Sequence, residues 1–147
     1  MIEAFICDID GTVADHTGLR GHFEYEKVHL DKPIWPVISV VRAITWHHNW
    51  LPLFVSGRMD ETKDGVSVRE STVDWIEDKL MFSPWECLLY MRADQDFRPD
   101  DVIKKEIYHA KIENNFHVNL VLDDRNRVVD MWRRLGLQCL QVAPGDF

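Results

Sequence analysis

Two carboxylates lie two residues apart near the start of the chain, in Asp8-Ile9-Asp10-Gly11-Thr12. They follow the apolar run Ala4-Phe5-Ile6-Cys7, which is typical of a buried strand. Carboxylates this close resist joint ionisation unless a cation or a proton lies between them. Together with the glycine turn and the threonine hydroxyl, they predict a metal-assisted phosphate site with a carboxylate nucleophile. The alternative is a strand that ends in an ordinary Asp-Gly turn.

Polar residues also follow two later strand-like runs. Leu51 to Val55 is followed by Ser56-Gly57-Arg58, and Val118 to Leu122 is followed by Asp123-Asp124-Arg125. Polar turns are common after strands, but the carboxyl ends of parallel strands meet at one rim, where ligands bind. Four carboxylates at that rim would repel each other without a cation. We therefore expect a Mg²⁺ ion held by oxygen ligands.

Lys104 adds a positive charge near the start of a helix that we expect to begin at Pro99-Asp100-Asp101. The helix dipole disfavours a cation there, so a solvated surface lysine is the ordinary interpretation. A phosphate bound at the helix N-terminus would reverse that preference. We expect Lys104 to neutralise such an anion and Lys105 to be solvated.

The elements that must position these residues alternate between strands and helices. The predicted strands span 3–8, 51–55, 87–91, 118–122 and 137–142, and the predicted helices span 36–46, 68–80, 99–110 and 128–135. Each strand is an almost continuous apolar run, as in a parallel sheet buried on both faces. We predict an α/β fold: a three-layer Rossmann-like sandwich with five parallel strands and helices on both faces. Residues 11–35 are too long for an ordinary connection and are expected to form a small flap, not a large cap domain.

Composition narrows the class of protein. The 147 residues, 46% of them hydrophobic, predict one domain over 1–147. A net charge of −8 argues against a broad nucleic-acid footprint, although a few local arginines could hold a polynucleotide end. No apolar run approaches the roughly 20 residues of a membrane span, and no signal-type segment is evident. We expect a cytoplasmic protein in which Cys7, Cys87 and Cys139 are reduced and buried, with Cys7 pointing away from Asp8.

The order of these motifs resembles the signature of the haloacid dehalogenase superfamily of phosphotransferases. That signature is Asp-x-Asp-Gly-Thr, a strand-end serine, a helix lysine and a strand-end Asp-Asp. The match is closer to the 3′-phosphatase domain of phage polynucleotide kinase/phosphatase, notably in Val55-Ser56-Gly57-Arg58 and Asp100-Asp101-Val102-Ile103-Lys104. The resemblance covers essentially the whole chain, and its most specific part is the C-terminal stretch from Leu122 to Phe147.

The resemblance implies a role for each candidate residue. Asp8 would be the nucleophile that forms an aspartyl-phosphate, and Asp10 would protonate the leaving oxygen and later activate water. Mg²⁺ would be held by Asp8, by the backbone carbonyl of Asp10 and by Asp124. The implied substrate-binding residues are Thr12, Arg20, Ser56, Gly57, Arg58 and Lys104. The implied supporting residues are Asp100, which would hold Lys104 or Arg58, together with Asp123 and Arg125. Since a proton donor must keep its proton near neutral pH, Asp10 is expected to have a raised pKa.

The resemblance points to a Mg²⁺-dependent 3′-phosphatase that acts on DNA or RNA termini in end repair. The chain has no Gly-rich phosphate loop ending in Gly-Lys-Ser/Thr, so we expect a stand-alone phosphatase and a kinase or ligase, if any, on another chain. One alternative is a small-molecule phosphatase such as a nucleotidase. Another is an inactive module that binds nucleic-acid ends, although the intact catalytic set argues against it. Phe23, Tyr25 and Phe97 lie in loops that could overhang the site, and one of them could contact the terminal nucleoside.

Overall fold

A computed structural model describes all 147 residues, and its strands form one main parallel sheet and two small antiparallel pairs. In chain order the strands are β1 (Ile2–Cys7), β2 (Ala14–Asp15), β3 (Lys32–Pro33), β4 (Leu51–Asp60), β5 (Thr62–Lys63), β6 (Val66–Ser67), β7 (Leu88–Ala93), β8 (Phe116–Asp123) and β9 (Cys139–Gln141). The main sheet has five strands in the order β7-β4-β1-β8-β9. The two antiparallel pairs join β2 with β3 and β5 with β6.

The strand order creates a switch point beside the central strand. The chain winds outward from β1 to β4 and β7, then returns to place β8 on the other side of β1. Open α/β sheets bind ligands outside the carboxyl ends of their strands at such a point. Asp8 follows β1 and Asp123 ends β8, so the sheet brings these two carboxylates to the position where a ligand is expected.

Four helices connect the strands of the main sheet. They are α1 (Trp35–His48), α2 (Val68–Leu80), α3 (Asp100–Ile107), which continues as a π-helical turn over Tyr108–Ile112, and α4 (Asn126–Arg134). Pro36 lies in the first turn of α1, where a missing N–H costs nothing. The Ser67 hydroxyl caps α2 by accepting a hydrogen bond from the Glu70 N–H at 3.2 Å. Asn49 and Met81 end α1 and α2 in the left-handed conformation.

The core consists of two apolar layers, one on each face of the sheet. Phe5 packs toward α1 and α2, whereas its neighbours Ala4 and Ile6 pack on the opposite face beside Val128 and Trp132 of α4. This alternation along β1 is what a strand covered on both faces requires. The predicted three-layer α/β fold with five parallel strands is therefore confirmed.

The strand β4 differs from the prediction in a way that matters for function. We expected Ser56-Gly57-Arg58 to form a turn after a strand that ended at Val55. Instead β4 continues to Asp60, and its pairing with β7 jumps from Ser56↔Met91 to Met59↔Arg92. Gly57 and Arg58 therefore lie in a bulge, a feature that redirects side chains at the edge of a site. Arg92, which lies just beyond the predicted strand 87–91, is part of β7.

The flap between β1 and α1 is folded. It contains the β2–β3 pair and a 3₁₀ helix, Tyr25–Leu30, whose Tyr25 and Val28 are buried against Met59, Val68 and Met91. The flap is thus packed on β4, β7 and the start of α2 through a small core of its own.

Two predictions about the chain as a whole can be compared with this fold. None of its helices combines the length and the apolar character that crossing a membrane would take. Cys7, Cys87 and Cys139 are free and buried, and Cys7 packs with the apolar layer beneath α1 and α2.

Candidate active site

Three carboxylates converge at the switch point. Carboxylate oxygens of Asp8, Asp123 and Asp124 lie within 4.8 Å of one another, and all three residues are buried. The Asp8 N–H donates to the Leu122 carbonyl at 2.9 Å, which ties the end of β1 to β8 and fixes the cluster. The sheet itself therefore positions the acidic group.

Lys104 neutralises part of this charge. Its Nζ donates to Asp8 Oδ1 at 2.6 Å and to Asp123 Oδ2 at 3.0 Å, and the residue is buried. Burial opposes its charge, but Asp123 and Asp8 outweigh burial and raise the pKa of Lys104, so it stays protonated. The Thr12 hydroxyl donates to the other Asp8 oxygen at 3.0 Å. The Asp8 carboxylate is thus held on both of its oxygens.

Asp123 and Asp124 have different surroundings. Asp123 Oδ2 also accepts from the Trp132 indole at 3.2 Å, and its Oδ1 accepts from the Asp124 N–H at 2.9 Å, so both oxygens are engaged by protein donors. Asp124, by contrast, lines the cavity together with Asp8. We infer that Asp123 orients the site and that Asp124 is available to a ligand.

The acidic cluster has the properties of a cation site. Burial and the neighbouring Asp123 raise the pKa of Asp8 well above its usual range, and the same two effects raise the pKa of Asp124 to about 6. Oxygen ligands that repel each other in this way are stabilised by a hard divalent cation. The residues present fit a metal ion bound between Asp8 and Asp124.

Asp10 is held by two arginines. Arg58 grips both of its oxygens, through Nε at 2.9 Å and Nη2 at 2.8 Å, and Arg20 adds a bond at 3.1 Å. Burial alone would raise the pKa of Asp10, but Arg58 and Arg20 lower it to about 2. The expectation of a raised pKa is therefore wrong for this state of the protein, because two cations approach from β4 and from the flap.

A buried carboxylate from the flap completes the arginine cluster. Asp31 accepts from Arg20 at 2.7 and 2.9 Å and from Arg58 at 2.9 Å, and the side chains of all three residues are inaccessible to solvent. The Asp31 carbonyl also accepts from the Trp75 indole at 2.9 Å. The Thr72 hydroxyl accepts the remaining guanidinium contact of Arg58 at 3.0 Å. Arg58 and Arg20, expected to face a phosphate, here link Asp10 to the flap.

Asp100 contacts different partners from those expected. It hydrogen-bonds Arg92 and accepts from Arg125 at 2.9 Å, and it makes no hydrogen bond to Lys104 or Arg58. The Asp100 carboxylate passes over the bulge, where a Cβ added at Gly57 would lie 2.6 Å from its Oδ1. Gly57 is therefore needed for this close approach, and Asp100 braces the rim of the site.

The predicted residues form one site with an inner and an outer part. A narrow cavity of about 30 Å³ is lined by Asp8, Asp10, Gly57, Asp100, Lys104, Asp124 and Arg125, among others. The residues buried behind these are Thr12, Arg20, Ser56, Arg58 and Asp123. The Ser56 hydroxyl accepts from the Arg58 N–H at 3.1 Å, which fixes the bulge.

Sequence reasoning missed Asp31, Thr72 and Arg92. Arg92 follows the apolar run Cys87–Met91, so the rule that strand ends face the ligand could have identified it. Its Nε donates to the Gly57 carbonyl at 2.8 Å, directly beside the cavity. Asp31 and Thr72 have no such signal, since they lie in the irregular flap and on a helix face.

Gly11 offers a direct test of the close packing around Asp124. Its φ is +83°, and an added Cβ would lie 2.1 Å from Asp124 Oδ2. Gly11→Ala is expected to displace Asp124 and to weaken the binding of a divalent cation at the acidic cluster, as measured by titration with Mg²⁺. Gly18 is a matched control because its φ is +73° but no atom lies within 4 Å of an added Cβ. Gly18→Ala should cost only the backbone strain, about 1 kcal/mol in urea unfolding. If the two variants lost cation binding to the same extent, this role for Gly11 would be contradicted.

Arg20 and Arg58 form an arginine clamp around Asp10, and this clamp predicts how the stability of the protein changes at acid pH. The folded pKa of Asp10 is about 2 against an ordinary 3.8, so its contribution is complete above pH 4 and lost as pH falls toward 2. That contribution is about 2 kcal/mol. In urea unfolding without divalent cations, the difference in free energy of unfolding between wild type and Asp10→Asn should decrease as the pH falls from 4 toward 2. Parallel stability curves for the two proteins would show that the clamp does not hold an ionised Asp10.

This chain resembles a known protein family, a viral protein and two solved structures. Residues 2–147 match the family described as the polynucleotide kinase PNKP phosphatase domain. A putative bifunctional polynucleotide kinase/RNA ligase of Autographa californica nuclear polyhedrosis virus is 32% identical over 134 residues, 90% of this chain and 18% of that protein. Two solved structures of a Pnkp1/Rnl/Hen1 complex, one of them described as an RNA repair complex, contain a chain 35% identical to this one, with TM-scores of 0.87 and 0.85.

The chain corresponds to only part of each of these relatives. It is covered completely by the two structural neighbours but spans 44% and 48% of their chains, and it spans 18% of the viral protein. The match to the family, in contrast, extends over nearly every residue, including all of the acidic cluster, the bulge and the arginine pair. The chain therefore belongs to the family of polynucleotide kinase phosphatase domains, within the haloacid dehalogenase-type fold.

Proposed function

We propose that this chain is a Mg²⁺-dependent phosphatase that removes a 3′-terminal phosphate from DNA or RNA through an aspartyl-phosphate intermediate. The observation that carries the proposal is the Asp8 carboxylate, which lines a narrow cavity between Lys104 and Asp124 in a chain of this family. Hydrogen bonds fix the orientation of this carboxylate, and Lys104 neutralises part of its charge. Its place in the cavity lining gives a phosphoryl group access to it.

The residues divide the reaction between them. An Asp8 oxygen attacks phosphorus as the bond to the 3′ oxygen breaks, and water later cleaves the acyl phosphate. Lys104 offers a buried cation beside Asp8 for the phosphoryl oxygens. A Mg²⁺ ion held by Asp8 and Asp124, with the Asp10 carbonyl as a further ligand, would add charge for those oxygens and relieve the carboxylate repulsion.

Asp10 is the group in place to protonate the leaving oxygen. In the free protein the arginines keep it ionised. Asp10 lines the cavity, so a phosphate dianion arriving there repels the Asp10 charge and raises the pKa of Asp10 when substrate is bound. Arg58 and Arg20 thus make proton donation depend on the substrate.

The substrate class rests on the relatives. The family takes its description from polynucleotide kinase, the viral relative is a putative polynucleotide kinase/RNA ligase, and one structural neighbour belongs to an RNA repair complex. We therefore assign the chain to the repair of nucleic-acid ends. A kinase and a ligase are the activities expected to work with it, since a ligase joins a 3′-hydroxyl to a 5′-phosphate.

The choice of substrate tests this function. Offered a 3′-phosphorylated oligonucleotide and a nucleoside 3′-monophosphate with Mg²⁺, the protein is expected to hydrolyse the polymer with the higher kcat/KM. Excess EDTA should stop the reaction. A clear preference for the monomer would support a small-molecule phosphatase instead. Turnover that continues in EDTA would remove the metal from the proposal.

A further inference from the structure

A wide groove opens beside the narrow catalytic cavity. Its volume is about 410 Å³, against about 30 Å³ for the cavity, and it lies between the flap and the loop that precedes α3. The two spaces adjoin, since His22, Tyr25, Asp100 and Arg125 line both. A space of this size is typical of a small-molecule or nucleotide subsite, whereas the cavity can take only a small group.

Two exposed phenylalanines line this groove, each from a different segment of the chain. Phe23 belongs to the flap and Phe97 to the loop before α3, and their exposed fractions are 71% and 76%. Leaving such side chains in water forgoes the stabilisation that burial would bring. Flat aromatic faces beside a phosphate site are what base stacking requires.

Both phenylalanines are held on firm supports. The ring of Phe23 lies 4.9 Å from that of His22 and 6.4 Å from that of the buried Tyr25, each in an edge-to-face arrangement. Phe97 lies between Asp96 and Arg98, whose backbone carbonyls both accept hydrogen bonds from the Arg92 guanidinium. The two rings are therefore presented by fixed backbone.

The charge of the groove also fits a nucleic-acid strand. Its lining includes four arginines and a single carboxylate in a chain whose net charge is −8. Arg127 is the least engaged of the four, because its guanidinium lies 3.7 Å from Asp101 and its side chain is 56% exposed. The other three are paired, Arg92 and Arg125 with Asp100 and Arg98 with Asp96 and Glu106, so Arg127 is the cation most available to a backbone phosphate of a bound strand.

We infer that this groove binds the terminal nucleoside of the substrate strand, with its base stacked on Phe23 and Phe97 while the 3′-phosphate enters the cavity at Asp8. The inference rests on the proposed function and adds how the strand end is recognised. Stacking accepts any base, so the groove gives affinity for a nucleotide end without base specificity.

Binding measurements separate this inference from the proposed reaction. In EDTA, the Kd of wild type for a fluorescent 3′-phosphorylated oligonucleotide is compared with those of Phe23→Ala and Phe97→Ala. Each variant is expected to weaken binding by roughly 5- to 100-fold. Trp85→Ala is the matched control, because Trp85 is 82% exposed but lines neither space.

A strand that lacks its terminal base provides the decisive comparison. If the base stacks on the rings, an abasic 3′-terminal nucleotide should weaken binding to wild type by a similar factor, and the Phe→Ala changes should add little further loss. Variants with wild-type affinity, or equal losses on the normal and abasic strands, would overturn the inference. Failure of wild type to hydrolyse the oligonucleotide in Mg²⁺ would instead overturn the proposed function and leave this binding test valid.

Discussion

Replacing Asp8 with asparagine is expected to abolish phosphatase activity while leaving the protein folded. The amide cannot form an acyl phosphate, so kcat on a 3′-phosphorylated oligonucleotide should fall by about 10⁴-fold or more. Stability should be maintained or raised, because burial and Asp123 already disfavour the ionised Asp8, and the variant removes that charge without changing its size. Steady-state kinetics and thermal unfolding measure the two effects.

A surface variant controls for the change of charge. Asp130 is exposed on α4, so Asp130→Asn removes one negative charge away from the cavity and should leave both activity and stability near wild type. Trapping of radiolabelled phosphate on the wild-type protein, but not on Asp8→Asn, would identify the nucleophile. Substantial turnover by Asp8→Asn would exclude the covalent route.

Replacing Lys104 with methionine is expected to damage both stability and activity. The side chain is 3% exposed and bridges Asp8 and Asp123, so its loss leaves buried carboxylates without their partner. Breaking a buried pair on one side costs about 3–5 kcal/mol. Urea unfolding in EDTA measures this loss of stability. Added Mg²⁺ should restore part of the lost stability by supplying another positive charge to the cluster.

The neighbouring lysine and a double variant sharpen this second prediction. Lys105 is exposed, so Lys105→Met makes the same chemical change one residue away and should alter stability little. Asp8→Asn combined with Lys104→Met should be less destabilised than the sum of the single variants, because one uncompensated carboxylate is gone. Additive effects, or equal stability of the two lysine variants, would show that Lys104 does not hold the cluster together.

The residues that sequence reasoning could place are those fixed by local pattern. Apolar runs locate β1 and β8, and the winding of a parallel sheet then brings Asp8 and Asp123 together without further information. Lys104 could be assigned because a cation is unexpected near the start of a helix. These residues depend on rules that act within about ten residues of the chain.

Other residues could not be placed by sequence reasoning, because contacts with distant parts of the chain determine their positions. The bulge at Gly57 and Arg58 exists because β4 pairs onward with β7, which the run Leu51–Val55 does not indicate. The shift in the pKa of Asp10 was predicted in the wrong direction, because Arg20 and Arg58 contact it from 10 and 48 residues away in the sequence. Asp31 could not be found since the flap has no periodicity that predicts which of its side chains is buried.

The buried Asp31 carboxylate has a consequence for how the molecule moves. It joins the flap to Arg58 of β4 and, through its carbonyl, to Trp75 of α2, so lifting the flap would leave Arg58 without Asp31 and would also separate Arg20 from Asp10. Leaving a buried charge unpaired costs about 3–5 kcal/mol. Amide protons in the 3₁₀ helix are therefore expected to exchange more slowly than those of an unattached surface loop. We therefore expect a substrate of the proposed phosphatase to enter and leave through the groove beside the cavity, without a gating motion of the flap.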